Sequence, residues 1–564
     1  MNYHSSDILI IGGGIAASMA AIEAAKLGAR VYLVDKGMLG RSGLSATTGG
    51  GVCAAMTPPD DWQIHTADAM KIGTINDPLL TEIMAREAPK RLEEVREFGV
   101  RFHTSDHGGV QQIGGPTFTH PRIALAVGGG YAMTEVLRKE ALHRGVRVVE
   151  DVMVTEIVEI DGKAVGAVGV SKTAGDIYEF HSKAVILAAG GGEGIYRYVS
   201  SNYVCTGDSY TLALSTGAKL ANMEFQEFGL VPCPGGVITP AAGIGELISN
   251  GAVIVSESGD SVSTLYPNKP FIQAMYEEVF VKRSKVFLEA LAVEDKKLRN
   301  FSSGPLLAAK LREGGVNFWK HPRFEVMPAL RKFYGGIVVD EQCRTSVEGL
   351  FAAGECTTGS QGARRLEGDG IGGALVFGKR AGRAAVAYVR GLNAPSEHDF
   401  SASVQKLKQN LSSAGQGGTN SVTGLKSKLR QVMWDNVGII RSEEKILPAI
   451  NDIREMSETL ESGKFSHIAK TGEMINLLEL KNMLRTAEIV SRTALTRKES
   501  RGFHFRSDYP HQDDENWMKW IMITRKKGSN DFNIELAEVP HRSEGYRPTT
   551  ESSSRPIIAD FVSD

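Results

Sequence analysis

The sequence predicts an α/β fold: a nucleotide-binding domain interrupted by an α+β insertion and followed by a helical domain. Three observations carry that expectation. Residues 7–37 read strand, glycine turn, small-residue helix, strand and acid, the order a dinucleotide site requires. Composition changes over residues 229–334, after which glycine-rich strand and turn segments resume at residues 335–370. Beyond residue 400 the chain becomes charged with helix-spaced apolar positions such as Leu477, Leu480, Leu484 and Ile489.

In the opening unit Gly12 permits the turn, Gly14 lets backbone approach a pyrophosphate, and Ala17 lets helix and strand pack closely. The helix N-terminus offers N–H groups and partial positive charge to that pyrophosphate. Asp35 suits free ribose hydroxyls. A glycine turn in a nucleotide-free sheet is the plain alternative, and the completeness of the unit argues against it. Residues 40–55 form a Gly/Ser/Thr-rich loop able to wrap a cofactor. A helix is expected over residues 79–98, an irregular stretch with His120 and Arg122 over 103–130, and a helix over 133–144. Strands over 146–159, 166–170 and 178–181 make a meander, with a turn at Asp161-Gly162. Residues 183–192 read as a late parallel strand, and a helix capped by Thr206 or Asp208 runs to about Ala221. The insertion reads as a lid with helices over 270–291 and 305–313. Strands at 335–340 and 349–355 and a helix from Ile371 to Val389 complete the nucleotide domain. After a linker at 391–399, helices are expected over 404–411, 425–437, 442–459 and 475–496, then a strand pair and a Ser/Pro-rich terminus. The expected units are residues 1–228 and 335–392 (nucleotide domain), 229–334 (cap), 400–520 (helical domain) and 521–564 (tail).

At 564 residues the chain exceeds one core. A formal net charge of −2, from 64 basic and 66 acidic residues, gives no electrostatic case for nucleic acid or an anionic membrane. The five cysteines are scattered without CxxC spacing, so no disulfide framework, structural zinc or iron–sulfur cluster is expected. The first strand begins within seven residues, and no apolar run approaches a membrane span, so a cytoplasmic protein without membrane insertion is the simplest expectation. No metal site is expected.

Several blocks together resemble the flavoprotein subunit family of succinate dehydrogenase and fumarate reductase, a group that includes L-aspartate oxidase and the adenylylsulfate reductase α subunit. The blocks are the N-terminal unit, RSG…TTGGG, ILAAGG, TGDS…STGAKLANMEF, GLFAAGE, GARRLEGDGIGGALVFG and RKESRGFHFRSDYP. The resemblance implies a Rossmann-like FAD-binding domain with an inserted α+β capping domain and a C-terminal helical domain. It implies cofactor contacts from Gly12, Gly14, Ile15, Ala16, Ala17, Asp35 and Lys36, and from Arg41, Ser42, Gly43, Thr48, Gly49, Gly50 and Gly51. Val154, Ala189, Gly190, Gly191, Thr206, Gly207 and Asp208 join them, with Gly354, Glu355, Arg365, Gly368, Gly370 and Ile371. Glu355 matches the glutamate at the FAD ribose–ribitol region. Residues 362–375 match the segment along the flavin, whose helix N-terminus faces the N1/C2=O edge where charge accumulates on reduction.

The chain departs from the family in ways that bear on chemistry. Gly43 follows Arg41-Ser42 where succinate- and fumarate-active members carry the flavin-linked histidine, so dissociable FAD is expected. The QFHPT histidine is lost near Gly229, and Arg331 replaces the histidine of HYxMGG. Arg365 matches the arginine that holds a substrate carboxylate, while Arg283 is the candidate for the family's proton-shuttling arginine, with a solvated helix face as the alternative. An arginine pair without histidine suits an anion such as carboxylate, sulfonate or sulfate. Tyr334 and Phe333 would make the pocket more apolar, and His120 and Arg122 are further candidates for the cleft, with a satisfied structural histidine as the commoner outcome.

The first functional expectation is therefore an FAD oxidoreductase that passes hydride between flavin N5 and a small anionic substrate. Arg365 and Arg331 fix the anion, Arg283 or Tyr334 relays a proton, and electrons are exchanged with a separate iron–sulfur subunit. An adenylylsulfate reductase-like sulfur oxyanion reductase and an L-aspartate oxidase-like imine former are the alternatives. The intact flavin-facing segment GARRLEGDG argues against a non-enzymatic scaffold.

Overall fold

The computed structural model describes residues 2–105, 107–115, 117–239, 244–266, 269–293, 304–392, 398–412, 420–463, 465, 471–526, 529 and 531–542. Its centre is a seven-stranded sheet. Strand Asn2–Ile11 pairs in parallel with Val31–Val34 on one side and Ile177–Leu187 on the other. Ile8, Leu9 and Ile10 are fully buried, because helices cover both faces. Helix Ile15–Lys26 packs against the long helix Asp369–Arg390 through small residues. A Cβ on Gly378 or Gly382 would lie 2.4 Å from the carbonyl oxygen of Ala16 or Ala20, so the two backbones approach to a distance only glycine allows.

The meander strands are Val152–Ile160, Lys163–Ser171 and Ile177–Leu187. Residues 178–181 and 183–192 were expected as separate strands. Residues 178–187 fall in one strand, whose first half pairs antiparallel with the meander and whose whole length pairs in parallel with Asn2–Ile11. Helix Asp208–Ser215 is shorter than expected: Gly217 turns the chain at φ 88°, and Leu220–Ala221 is a strand. Its N-cap is Gly207 without a side-chain bond, so neither Thr206 nor Asp208 caps it. The irregular stretch contains strands Gln112–Ile113 and Ile123–Leu125, and the loop before it contains helix Leu44–Thr47 and strand Gly51–Cys53. Sequence reading passed over helix Trp62–Gly73, which Asp61 caps by accepting from the Ile64 N–H at 2.8 Å.

Residues 226–333, starting three residues before the expected cap boundary, build a four-stranded antiparallel sheet of Gln226–Pro232, Arg323–Phe333, Val286–Glu289 and Val253–Ser256. The long helix expected over 270–291 is instead helix Phe271–Tyr276, a π turn Glu277–Val281 and strand Val286–Glu289. Val286 and Leu288 are buried while their neighbours are not, a period of two that only a strand satisfies. Helices Val422–Val437, Glu443–Glu461 and Thr471–Thr496 pack together, with Leu480, Leu484 and Ile489 in their core. Helix Ser401–Ser412 leaves that group and covers the meander through Val404 and Leu407. Strand Lys519–Arg525 joins Leu220–Ala221, tying the late chain back to an earlier segment. The terminus beyond 542, most of the linker and residues 240–243 lie outside the described residues. Among the described residues no helix is long and apolar enough to cross a membrane.

Candidate active site

A cavity of about 360 Å³ opens at the carboxyl ends of the parallel strands. The turn after Asn2–Ile11 forms its floor. Gly12 has φ 119°, and a Cβ there would lie 2.3 Å from the Ala188 carbonyl oxygen, so only glycine fits between the two strands. Ser45 closes over this turn, its Oγ accepting from the Ile15 N–H at 3.2 Å. Asp35 accepts from the Gly37 N–H at 2.6 Å, and burial pushes its carboxyl up. Lys36 spans to Asp208 at 2.8 Å and Glu479 at 3.0 Å, which hold it charged although it is buried.

Of the residues singled out in the sequence, Gly12, Gly14, Ile15, Ala16, Asp35, Lys36, Arg41, Ser42, Gly43, Thr48, Gly49, Gly50 and Gly51 line the cavity. Val154, Ala189, Gly190, Asp208, Gly354, Glu355, Gly368, Gly370, Ile371, Arg331 and Arg365 do too. Ala17 is buried in the helix behind it. Gly191 backs onto Glu193, Gly207 caps a helix, and the Thr206 hydroxyl accepts from Lys36 Nζ at 2.8 Å. Arg122 is fully buried between Asp60 and Asp68, at 2.7 Å from each, and so does not reach the cleft. Arg283 is exposed at φ 58° after the π turn and does not line the cavity. Tyr334 lines a small adjoining pocket with Lys332, Glu355 and Gly370.

One end of the cavity is charged. Glu227 accepts from Arg365 Nε at 3.1 Å and from the Tyr334 hydroxyl at 2.6 Å, and lies 3.3 Å from Arg331 Nη1. Burial would raise this carboxyl, but Arg365, then Arg331 and Tyr334, outweigh it and hold it at about 2. Arg331 and Lys332 are consecutive and should point to opposite faces of a strand, yet both line the cavity. The reason is a register shift: Glu227 pairs with Lys332 but Phe228 pairs with Leu330, leaving Arg331 as the extra residue of a β-bulge. Beneath Lys332, Glu355 accepts from the Phe333 N–H at 2.9 Å. Burial and the neighbouring Glu355 carboxylate push the Glu193 carboxyl well up.

Behind Gly368, Asp369 opens the long helix and lies 2.9 Å from His65 Nε2, with Cys53 Sγ 3.5 Å from the same nitrogen, all three buried. His65 Nδ1 has no partner among the described residues. A ligating imidazole is normally held through its second nitrogen, so the set reads as a hydrogen-bonded triad. Sequence reading missed Glu227, Lys332, Ser45, His65 and Glu479. Glu227 had one available signal, an acid at the head of a strand that is apolar from Phe228 onward apart from Gly229.

The cradle suits FAD. Glycines stand where a Cβ would collide, Asp35 is placed for ribose hydroxyls, and Glu355 lies further along the same cavity. A family model described as an FAD binding domain matches residues 7–371, and one described as the fumarate reductase flavoprotein C-terminus matches residues 426–553. The chain is 31% identical over 553 residues to one subunit of the CoM/CoB fumarate reductase of Methanothermobacter marburgensis, covering 93% of this chain and 98% of that one. It is 33% identical over 546 residues to an uncharacterised FAD-dependent oxidoreductase of Methanocaldococcus jannaschii, covering 93% and 97%. The solved structure of Mycobacterium smegmatis Sdh1 in complex with UQ1 superposes with a TM-score of 0.83 at 29% identity, covering 95% of both chains. The chain is thus an FAD-dependent oxidoreductase and belongs to the flavoprotein subunit family of fumarate reductase and succinate dehydrogenase.

Proposed function

We propose that this chain is the flavin-bearing subunit of an oxidoreductase that saturates or desaturates a carbon–carbon or carbon–nitrogen bond beside the acidic group of a small anion. The observation that carries the reading is the convergence of Arg331 and Arg365 on one carboxylate at the cavity wall, 3.3 and 3.1 Å from Glu227. Glu227 sets the two guanidinium planes before substrate arrives, and Tyr334 holds Glu227. Fixed arginines lose little freedom on gripping an incoming carboxylate. FAD, when bound without a covalent link at Gly43, supplies the two-electron chemistry.

The substitutions at Gly229 and Arg331 argue for an acid other than plain fumarate or succinate. The Arg331 Cδ lies 2.6 Å from where a Gly229 Cβ would stand, so the arginine stem occupies space that a side chain at 229 would take. The Tyr334 hydroxyl is committed to Glu227 and Arg283 does not line the cavity, so the proton is drawn from groups that do. All five cysteines are free and buried without cluster spacing, which fits electron exchange with a separate iron–sulfur subunit.

The test is anaerobic. Photoreduced holoprotein is mixed with a panel of unsaturated carboxylic acids and imino acids while the visible flavin band is followed. Recovery of the band with at least one member is the expected result. Recovery with none, or with activated sulfur oxyanions alone, would overturn the reading.

A further inference from the structure

Three cations stand at the charged end of the cavity, and acids answer each of them. Glu227 lies 3.1 Å from Arg365 and 3.3 Å from Arg331, Glu367 lies 3.6 Å from Arg331, and Glu355 faces Lys332 through space. What separates Lys332 from the two arginines is its proton. A guanidinium keeps its charge throughout the working range of an enzyme, whereas burial can bring an ammonium to release a proton there. Lys332 is only 7% exposed on the bulged strand. It is faced by Glu355 after strand Leu350–Ala352, Glu227 on the paired strand, Glu193 on the turn Glu193–Ile195, and Arg365. Burial is the largest influence and, with Arg365, outweighs the three acids and brings the amine down to about 8. A group that gains and loses its proton close to neutral pH suits general acid–base work.

The position of Lys332 suits the same task. Its Nζ lies 3.1 Å from the point a Cβ on Gly370 would occupy, and Arg365 Cζ lies 3.8 Å from that point. The amine and one of the arginines assigned to the substrate anion therefore border a single patch of cavity wall, left bare by the glycine. Lys332 also borders a second space of about 20 Å³, room for a water. Lys332, Gly354, Glu355 and Gly370 line both spaces, and Thr357, Ser360 and Gln361 add polar wall to the smaller one.

We propose that Lys332 is the catalytic acid of the reducing reaction, handing its ammonium proton to the substrate atom that does not receive the hydride. The inference rests on the function proposed above and names the proton donor that reading leaves open. In the reducing direction the π bond of the substrate breaks. One of its atoms receives the hydride, whose two electrons come from the cofactor. The other takes a proton from Lys332 Nζ, whose N–H bond breaks as the new bond to hydrogen forms. The neutral amine left behind regains its proton from solvent by way of the small polar space it borders. In the oxidising direction the same amine takes the proton as a base. Arg331 and Arg365 keep the anion throughout.

The experiment compares wild-type holoprotein with Lys332→Met and Lys332→Arg, with FAD occupancy checked by absorbance. The probe is the unsaturated acid of the panel that restores the visible band of photoreduced wild type. Two quantities are measured with it: the rate of reoxidation, and the affinity for oxidised protein, read from the shift of the same band. Lys332→Met is expected to slow reoxidation about 10²–10⁴-fold while affinity stays within about threefold of wild type. In the wild type the rate should fall as pH rises through about 8, because the ammonium is lost. Lys332→Arg, whose guanidinium stays charged there, should keep the affinity and lack that fall. A Lys332→Met rate within about threefold of wild type overturns the inference. So does a loss of rate matched by an equal loss of affinity, which would place Lys332 among the anion-binding groups. If Lys332→Met does not retain FAD, Lys332→Arg decides, and a fall of rate that survives in it overturns the inference. If no acid restores the band in the wild type, the functional reading fails and the inference falls with it.

Discussion

Two arginine clusters lie back to back in this protein, separated by a single strand. Around residues 497–506, Arg497 pairs with Glu224 at 2.7 Å and Glu499 at 2.9 Å, and Arg501 pairs with Glu499 at 2.8 Å. Arg506 binds Asp508 at 2.7 Å, and Arg441 donates to the Glu224 carbonyl and to Gln226, both at 2.6 Å. All four guanidinium groups are fully buried. The other cluster is Glu227, Arg331, Lys332 and Arg365. Gln226 and Glu227 are neighbours on strand Gln226–Pro232, and the period of two sends one side chain into each cluster. The first cluster spends its donors on carboxylates and carbonyls and lies away from the cofactor cavity. The second opens on that cavity and keeps a lysine whose attractions act through space. Burial of arginine is thus no sign of a site; an open wall beside it is.

The sharpest way to break this comparison is to remove a carboxylate from the closed cluster. Glu499→Ala leaves Arg497 and Arg501 buried and short of a partner, and should cost about 3–5 kcal/mol in urea unfolding. Turnover per folded molecule should stay near wild type, and a selective loss of turnover would make this cluster part of the site. At the open cluster, Arg365→Ala should lower kcat/KM by about 10²–10³ with FAD still bound. It should also destabilise the fold, because Glu227 loses its nearest cation. Adding Glu227→Gln should restore stability but not turnover; recovery of both would show that Arg365 serves only the fold.

A pH titration of stability separates the clusters next. His504 accepts from Arg441 Nη1 at 2.7 Å through Nδ1, and burial with Arg441, Arg497 and Arg506 holds its pKa well below 6.5. The unfolded imidazole takes the proton first, so stability should fall as pH drops below about 6.5, at up to about 1.4 kcal/mol per pH unit. Glu227 behaves as a depressed carboxylate: its contribution is complete above about 4.5 and lost as pH falls toward about 2. His504→Gln should erase the earlier decline and leave the later one, and an unchanged profile would refute the assignment. The smallest effect is expected from Gly229→Ala, whose methyl meets the Arg331 stem at 2.6 Å. KM should rise a few-fold, about 1 kcal/mol, with thermal stability nearly unchanged.

Legibility differed sharply between the two ends of the cavity. Gly12, Gly14 and Asp35 were readable because a nucleotide cradle is made by backbone that is local in sequence, with the strand, turn and helix consecutive. Helix Asp369–Arg390 was read to within two residues for the same reason. The strand Val286–Glu289 was misread as helix because four residues are too few for a period to assert itself. Arg283 was chosen by likeness to a family arginine and lay inside the helix expected over 270–291; that helix ends early, and Arg283 stands on an exposed turn that does not line the cavity.

The amino-acid order alone determined the dinucleotide cradle, the acid that closes it and the likeness of the blocks along the chain, since each is written in contiguous residues. Tertiary structure decided the charged end. Glu227, Arg331 with Lys332, and Arg365 come from three separated segments, and a β-bulge turns two consecutive side chains onto one wall. No local period encodes such a register shift, because it arises only when two distant strands pair.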